Sequence, residues 1–452
     1  MAENGREIVV DMLLVIEREE EFSHRIINAV LTKYDYLTGQ EKAFIKRLFE
    51  GTLERRIELD YELDLISNTP VRKMKPFIRN LLRMSAYQLL YMDSVPDAAA
   101  VNEAVRLAGK RGFHNLKGFV NGVLRKLASG KGERKLPSKE AEPVRFLSVA
   151  YSMPEWLVEH FLASYSYEET ERLLAGLMEI RPVTIRFVKR LSEKEREELI
   201  DGFVKKGVEV TGHPFVQGAY ELKNCENIAT LPGFAEGAFW VQDASSMLAV
   251  LAAGIRPGDR VLDVCAAPGG KSLLAAEYAG ENGSVEARDI SQKKAELIEE
   301  NRNRMGFSQL AVRVWDATVM DESMAESADV VLTDVPCTGL GVMSRKRDIK
   351  YRQKKETLEE LPLLQKQIVK QAAGYVKPGG VLLYSTCTIN PKENEEMVEW
   401  ISKECGLIPE DISEFVEGLP GQETAGKGYI QLLPGIHGTD GFFFARMRKR
   451  KD

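Results

Sequence analysis

The sequence predicts a multidomain protein with four parts. An all-helical domain covers residues 1–130, a linker 131–143, a helical and small α/β subdomain 144–238, and a doubly wound α/β domain 239–452. Apolar residues recur at helical spacing through the first 130 positions, as in IVVDMLLVIE and PFIRNLLRMSAYQLLYM. The polar, Gly/Pro/Ser-rich stretch SGKGERKLPSKEAEP then breaks the pattern. From residue 240 onward, strand and helix patterns alternate regularly. At 452 residues the chain is about three times the usual size of one domain.

Among the N-terminal helices, VPDAAAVNEAVRLAGKRG starts at Pro96 and stops near Gly109 and Gly112, and GFVNGVLRKLA supplies the last. Beyond the linker, MPEWLVEHFLASYSYEETERLLAGLME gives two helices, VTIRFVKR a strand, SEKEREELIDGFVKKG a helix capped by Ser192, and VEVTG a further strand. In the last domain RVLDVCA is strand one and KSLLAAEYAG the helix leaving its Gly-rich turn. SVEARDI, LAVRVWDA, ADVVLTDVP and GVLLYSTCT follow as strands two to five, and TDGFFFARMRKR as a final strand with a basic tail.

Hydrophobic residues at 44% and charged residues at 29% are a globular balance. There is no apolar run of membrane-spanning length, so no membrane partner is expected. The opening MAENGREIVVDML carries one basic and three acidic residues, unlike a secretory signal. Five scattered cysteines without a CxxC pair argue against a disulfide scaffold or a zinc site and suit a reducing cytoplasm. The net charge of −6 conceals an asymmetry: residues 1–64 carry −6, residues 65–139 carry +11, and the remainder −11. Such a basic island can bind phosphate on an otherwise acidic molecule.

In a doubly wound sheet, ligands sit beyond the carboxyl ends of the strands. DVCAAPGGK (263–271) is one such loop; Gly269 and Gly270 allow close backbone approach, and the helix after them presents unpaired N–H groups. The spacing matches neither GxGxxG nor a phosphate loop, so a pyrophosphate is not the expected ligand. Asp289, at the end of strand two, is placed to bind ribose hydroxyls, and Asp316, at the end of strand three, to reach an adenine amino group. Each has the alternative of capping its turn. Asp263 orients the loop, meets a ligand ammonium or satisfies a buried turn, while Lys271 reaches the centre or lies on a helix surface. Before strand one, Gln242, Asp243 and Ser246 are candidate helix caps or ligand contacts.

LTDVPCTGLGV places Asp334 and Cys337 after strand four, and LLYSTCTINPKEN places Cys387 after strand five. Methyl transfer to pyrimidine C5 is chemistry that needs two thiols and an acid there. A thiolate adding to C6 makes C5 enamine-like, a base later removes the C5 proton, and a carboxyl group holds the ring. A base-paired target must be opened to reach such a site. The five dispersed histidines include no HExxH, so no metal site is expected, and GxSxG is absent.

DVCAAPGGK, DVPCTGLGV and YSTCTINPKENE resemble the S-adenosylmethionine-dependent RNA 5-methylcytosine methyltransferases of the NOL1/NOP2/sun family. VPDAAAVNEAV and GFVNGVLRKL resemble the NusB-like RNA-binding domain fused to small-subunit rRNA members, and LLPGIHGTDGFFFARM completes a likeness along nearly the whole chain. The resemblance implies a NusB-like helical domain, a small α/β piece and a Rossmann-like methyltransferase domain. It implies Cys387 as nucleophile, Cys337 as the residue aiding product release, Asp334 as the cytosine contact that also borders the cofactor, and Lys271 near the target. It implies S-adenosylmethionine against Cys265, Ala266, Ala267, Pro268, Gly269, Gly270 and Lys271, with Asp289, Lys294, Asp316 and Asp334. Asn301 and Arg304 match the family pattern. Arg347 stands where a proline is usual, and STCT replaces the commoner STCS.

The implied activity is methylation of cytosine C5 in small-subunit (16S) rRNA, free or in an early assembly intermediate, with no obligate protein partner. A tRNA methyltransferase and a non-catalytic ribosome-assembly factor are the alternatives. Arg72, Lys73, Lys75, Arg79 and Arg83, with Lys110, Arg111, Lys117, Arg125 and Lys126, are the expected phosphate contacts. Seven basic residues within 345–355 suggest an RNA-facing loop.

Overall fold

Residues 4–19, 22–130, 135–225 and 227–451 are described by the computed structural model, so positions 131–134 of the expected linker lie outside the described residues. The chain divides into two compact units: Met1–Met178 with Arg345–Arg352, and Glu179–Ser344 with Gln353–Asp452.

The first unit is helical: α1 (Gly5–Glu19), α2 (Ser23–Lys33), α3 (Gly39–Glu54), α4 (Arg56–Ile66), α5 (Pro76–Tyr91), α6 (Asp97–Lys110), α7 (Lys117–Gly130), α8 (Pro143–Ala150), α9 (Glu155–Leu162) and α10 (Tyr167–Leu177). The apolar faces of α1 to α7 converge on one core that includes Val9, Leu48, Phe49, Leu81, Leu82 and Leu124. Capping boxes begin α3 (Thr38 with Glu41) and α10 (Ser166 with Glu169). The helices over 143–178 fall in this unit, whereas the sequence groups them with the small sheet. α8 packs on α4, and Ile57 N donates to Ser152 Oγ at 2.9 Å.

The segment Arg345–Arg352, within the basic stretch 345–355 expected to face RNA, also belongs to this unit, and Arg347, Lys350 and Arg352 have partners inside it. Arg347 pairs with Glu50 (3.7 Å) and Glu54 (3.4 Å). Buried Asp348 accepts from Ser23 N at 3.1 Å, and buried Lys350 donates to Glu54 O at 2.7 Å. The Arg56 guanidinium lies 3.7 Å over the Tyr351 ring. Arg345, Lys346, Lys354 and Lys355 remain exposed.

The second unit begins with a small antiparallel sheet: β1 (Val183–Phe187), α11 (Glu193–Lys205), β2 (Glu209–Gly212), β3 (Ala219–Lys223) and β4 (Phe239–Val241), in spatial order β2-β3-β1-β4. Ser192 caps α11 in a box with Glu195, as its position before the helical pattern predicts. Then come α12 (Ala244–Ala252), β5 (Arg260–Asp263), α13 (Gly270–Ala279), β6 (Ser284–Asp289), α14 (Gln292–Met305), β7 (Leu310–Val314) and β8 (Ala328–Asp334). After α15 (Ile349–Arg352), which lies in the first unit, the chain continues through α16 (Thr357–Tyr375), β9 (Val376–Thr386), α17 (Glu395–Glu404), β10 (Leu407–Pro409), β11 (Tyr429–Leu432) and β12 (Phe442–Lys449).

The large sheet runs β10-β12-β9-β8-β5-β6-β7, with β11 on β12. Strands β9, β8, β5, β6 and β7 are parallel, while β12 joins β9 antiparallel. Separate cores cover the two faces, one containing Leu274, Leu332 and Leu383, the other Leu262, Val331 and Leu382. Double coverage explains the continuous apolar runs of the central strands β8 and β9. From β5 the chain proceeds to β6 and β7 on one side, then crosses to β8 on the other. The switch point therefore lies between the ends of β5 and β8.

Candidate active site

Five parallel strands deliver their carboxyl ends to one rim. After β5, the chain turns through residues 264–269 into α13. Gly269 has φ +106°, a left-handed backbone that favours glycine, and a Cβ there would stand 3.2 Å from Ile298 Cγ2. The turn is tied at several points. Ala266 N donates to Arg288 O (2.8 Å), Gly269 N to Ala266 O (2.7 Å), and Asn301 Nδ2 to Pro268 O (3.1 Å). Arg304 in turn donates to Asn301 Oδ1 (3.2 Å), which gives this Asn–Arg pair a local structural role. Gln242 accepts from Trp240 Nε1 (2.9 Å) and donates to Ser246 Oγ (3.3 Å) beside Gly270, and Asp243 is the cap of α12.

Asp289 closes the same turn from β6. Its Oδ2 accepts from Ala267 N (3.0 Å), and its Oδ1 accepts from Ile290 N (2.8 Å) and faces Lys294 Nζ (3.0 Å). Asp316 is exposed after β7, next to Trp315, whose backbone N–H donates to Asp289 O at 3.0 Å. Asp316 Oδ1 accepts from Thr318 N (2.9 Å) and Thr318 Oγ1 (2.7 Å), which hold the carboxyl below its usual range. That is the turn-capping alternative for Asp316.

Asp263 is fully buried. Burial raises its carboxyl to about 7, against the bond from Ser272 Oγ at 2.7 Å. Burial also pushes the Cys265 thiol far up, and its side chain packs against the core beneath the sheet.

The parallel pairing of β8 with β9 sets Asp334 opposite Ser385, so the two cysteine turns leave adjacent strands in register. Cys337 Sγ and Cys387 Sγ lie 3.3 Å apart, and both are free thiols. Asp334 is held on both oxygens, by Lys271 Nζ (2.7 Å) and Ser385 Oγ (2.8 Å). The Lys271 ammonium also sits 5.1 Å over the Phe442 ring. Burial works against its charge, but Asp334 foremost, then Asp263 and Cys387, raises its pKa. The Cys337 thiol is shifted well upward, first by its hydrogen bond to Cys387 and then by burial.

A backbone contact locks the two turns further. Gly341 N donates to Cys387 O (3.1 Å), and Gly341 O accepts from Gly441 N (2.9 Å). A Cβ on Gly341 would come within 2.0 Å of Gly441 O. Sequence reasoning missed Ser272, Ser385, Gln365 and Glu393. Of these, Ser385 and Glu393 stand inside a motif already singled out, YSTCTINPKENE.

A doubly wound sheet with a small-residue turn ending in left-handed Gly269 at its switch point, an acid on the next strand and two apposed thiols defines an α/β transferase built for a nucleoside cofactor and a thiol nucleophile. Comparison with known proteins makes this specific. The 16S rRNA methyltransferase RsmB/F family matches residues 250–448, and the NusB family matches residues 3–129. The probable ribosomal RNA small subunit methyltransferase B of Bacillus subtilis (strain 168) is 36% identical over 98% of this chain and 98% of its own. The corresponding Synechocystis protein is 31% identical over 99% of each chain. The crystal structure of PH0851 superposes with a TM-score of 0.79 at 25% identity, covering 99% of this chain and 100% of that one. The chain belongs to the ribosomal RNA small subunit methyltransferase B family.

Proposed function

We propose that this protein methylates C5 of a cytosine in small-subunit rRNA through a covalent bond between Cys387 and C6, with S-adenosylmethionine as methyl donor. The observation that carries the reading is the 3.3 Å separation of Cys337 and Cys387 beside the Lys271–Asp334 pair. The turn fits the cofactor: Gly269 holds a backbone open where a Cβ would crowd Ile298, and Asp289 and Lys294 stand at its edge. Cys265 to Lys271, Asp289 and Lys294 would hold it, with Asp316 and Asp334 at the rim. When bound, the cofactor supplies an electrophilic methyl group.

The hydrogen bond to Cys387, then burial, pushes the Cys337 thiol well up, and the Lys271 ammonium stands where it favours a thiolate on Cys387. The Cys387 thiolate adds to C6 and shifts an electron pair to C5, which takes the methyl group. A base then takes the C5 proton, the C6–S bond breaks and Cys387 leaves as a thiolate. Cys337 serves this elimination. Asp334, fixed by Lys271 and Ser385, orients the N3 edge and exocyclic amine.

The full-length relatives and the NusB family match support rRNA over tRNA. Of the ten candidate phosphate contacts, Arg79, Arg83, Lys110 and Arg111 are committed to ion pairs with Glu17, Asp60, Glu7 and Asp11. Arg72, Lys73, Lys75, Lys117, Arg125 and Lys126 are exposed. Lys75 lies over Phe113 (5.6 Å), which stands between Arg111 and Lys117 in the chain, and this proximity of the two runs supports a shared phosphate-binding surface. The five free thiols support the cytoplasm as compartment.

Incubation with small-subunit rRNA and S-adenosylmethionine is expected to yield 5-methylcytosine, and Cys387→Ala to abolish it. Cys337→Ala is expected to trap a protein–RNA adduct stable to denaturation. Adduct absent from both variants would overturn the division of labour, and product persisting in Cys387→Ala would overturn the mechanism.

A further inference from the structure

Glu393 is fully buried in the single turn Pro391–Glu393, and no cationic side chain among the described residues pairs with it. A buried carboxyl group without a counter-ion needs several donors to be tolerated. Four converge here. Oε1 accepts from Thr338 Oγ1 (2.5 Å) and Asn390 Nδ2 (2.9 Å), and Oε2 accepts from Thr338 N (3.0 Å) and Gln365 Nε2 (2.8 Å).

These donors flank the two reactive thiols. Thr338 directly follows Cys337, and Asn390 lies three residues after Cys387. A second hydrogen of Gln365 Nε2 reaches Pro336 O (2.9 Å), on the other side of Cys337. The hydroxyl groups of Thr338 and Thr388 are 2.7 Å apart. Thr338 has one hydroxyl hydrogen and gives it to Glu393, so Thr388, directly after Cys387, must donate to Thr338. One carboxylate therefore sets the proton order of a chain whose two hydroxyl links each adjoin a catalytic cysteine.

We propose that Glu393 is the positioning residue that holds the Cys337 and Cys387 turns together, so that both thiols address the same pyrimidine ring. The proposal rests on the function proposed above, but the apposition it explains can be measured without RNA. A carboxylate is required because all four neighbours are donors. In Glu393→Gln, of nearly the same shape, the amide NH₂ faces a donor whichever way it turns. Turned toward position 390, that NH₂ regains an acceptor in Asn390→Asp: the introduced carboxylate takes one of its hydrogens, Thr338 Oγ1 takes the other, and the Thr338 hydroxyl hydrogen turns to Thr388.

The test compares the parent protein, Glu393→Gln, and Glu393→Gln with Asn390→Asp. Diamide, which takes two electrons and two protons from a thiol pair, reads apposition, and mass spectrometry follows formation of the Cys337–Cys387 bond. Glu393→Gln is expected to close at least tenfold more slowly and the double variant to return within about threefold of the parent. In single-turnover methylation, Glu393→Gln is expected to lose at least tenfold in rate and to accumulate RNA adduct, with cofactor and RNA affinities within twofold. Wild-type diamide closure in Glu393→Gln would overturn the proposal. So would a loss that the double variant fails to restore, including a failure of Glu393→Gln to fold that Asn390→Asp does not correct. If the parent makes no 5-methylcytosine while the diamide series behaves as expected, the proposed function fails and the positioning role stands.

Discussion

At the scale of single residues, burial decides which ionisable groups work on substrate and which support the frame. Asp263 takes the proton that folding makes it keep. Its carboxyl is raised to about 7 from an ordinary value of 3.8. Between those values the folded protein binds a proton that the unfolded chain has released, so this group makes folding less favourable as pH rises through the window and adds nothing further above it. Asp263→Asn should remove that dependence while keeping an acceptor for Ser272. Relative to wild type, the variant should gain on the order of a few kcal/mol between about pH 4 and pH 7, as measured by urea unfolding at each pH. A difference independent of pH would exclude the buried proton. The sequence makes Cys337, Cys387 and Asp334 legible because thiols in polar turns are unusual. Glu393 is not legible: in PKENEE an acid among acids reads as solvated surface, and its burial follows from pairing with residues some fifty positions away.

At the scale of elements, strand register does the positioning. The pairing of Asp334 with Ser385 sends two turns out side by side, and the bond from Gly341 N to Cys387 O ties them, with Gly441 packed against Gly341. Gly341→Ala would force its Cβ into Gly441 O, a backbone atom that cannot rotate away. The expected result is a loss of about 1–3 kcal/mol in stability and at least a tenfold slower methylation rate, because Cys387 O loses its donor. A variant with wild-type rate would show that the turns are held elsewhere. The central parallel strands β8 and β9 are legible because both of their faces are covered and each carries an apolar run, VVL and VLL. The short antiparallel pieces β3, β4, β10 and β11 are not, since three to five residues of mixed character carry no periodicity and pair only where the rest of the sheet offers them a partner.

At the scale of the whole molecule, charge is sorted into structural and available portions. Replacing Lys73 and Lys75 with alanine should weaken rRNA binding and lower the slope of log affinity against log salt by roughly one for each phosphate no longer neutralised, with little change in melting temperature. Arg83→Ala should do the reverse: it breaks a two-point pair with Asp60 (2.6 and 2.7 Å), lowers the melting temperature and leaves the salt slope unchanged. Filter binding across a salt series, together with thermal denaturation, separates the two groups. Counting charge along the chain locates the basic island but cannot make this division, because the acids that neutralise Arg83, Lys110 and Arg111 come from 23 to 104 positions away. The same limit hides which basic residues of 345–355 are engaged, because the partners of Arg347, Asp348 and Lys350, namely Glu50, Ser23 and Glu54, lie about three hundred residues upstream.

That segment bears on any attempt to cut the protein into modules. A polypeptide ending at residue 178 would contain every long helix of the first unit yet leave Ser23, Glu50 and Glu54 without Asp348, Arg347 and Lys350, and Arg56 without the Tyr351 ring. The helical half is thus completed by residues translated more than 160 positions after its last long helix, so during synthesis it must wait for much of the second unit to emerge before its own structure is finished.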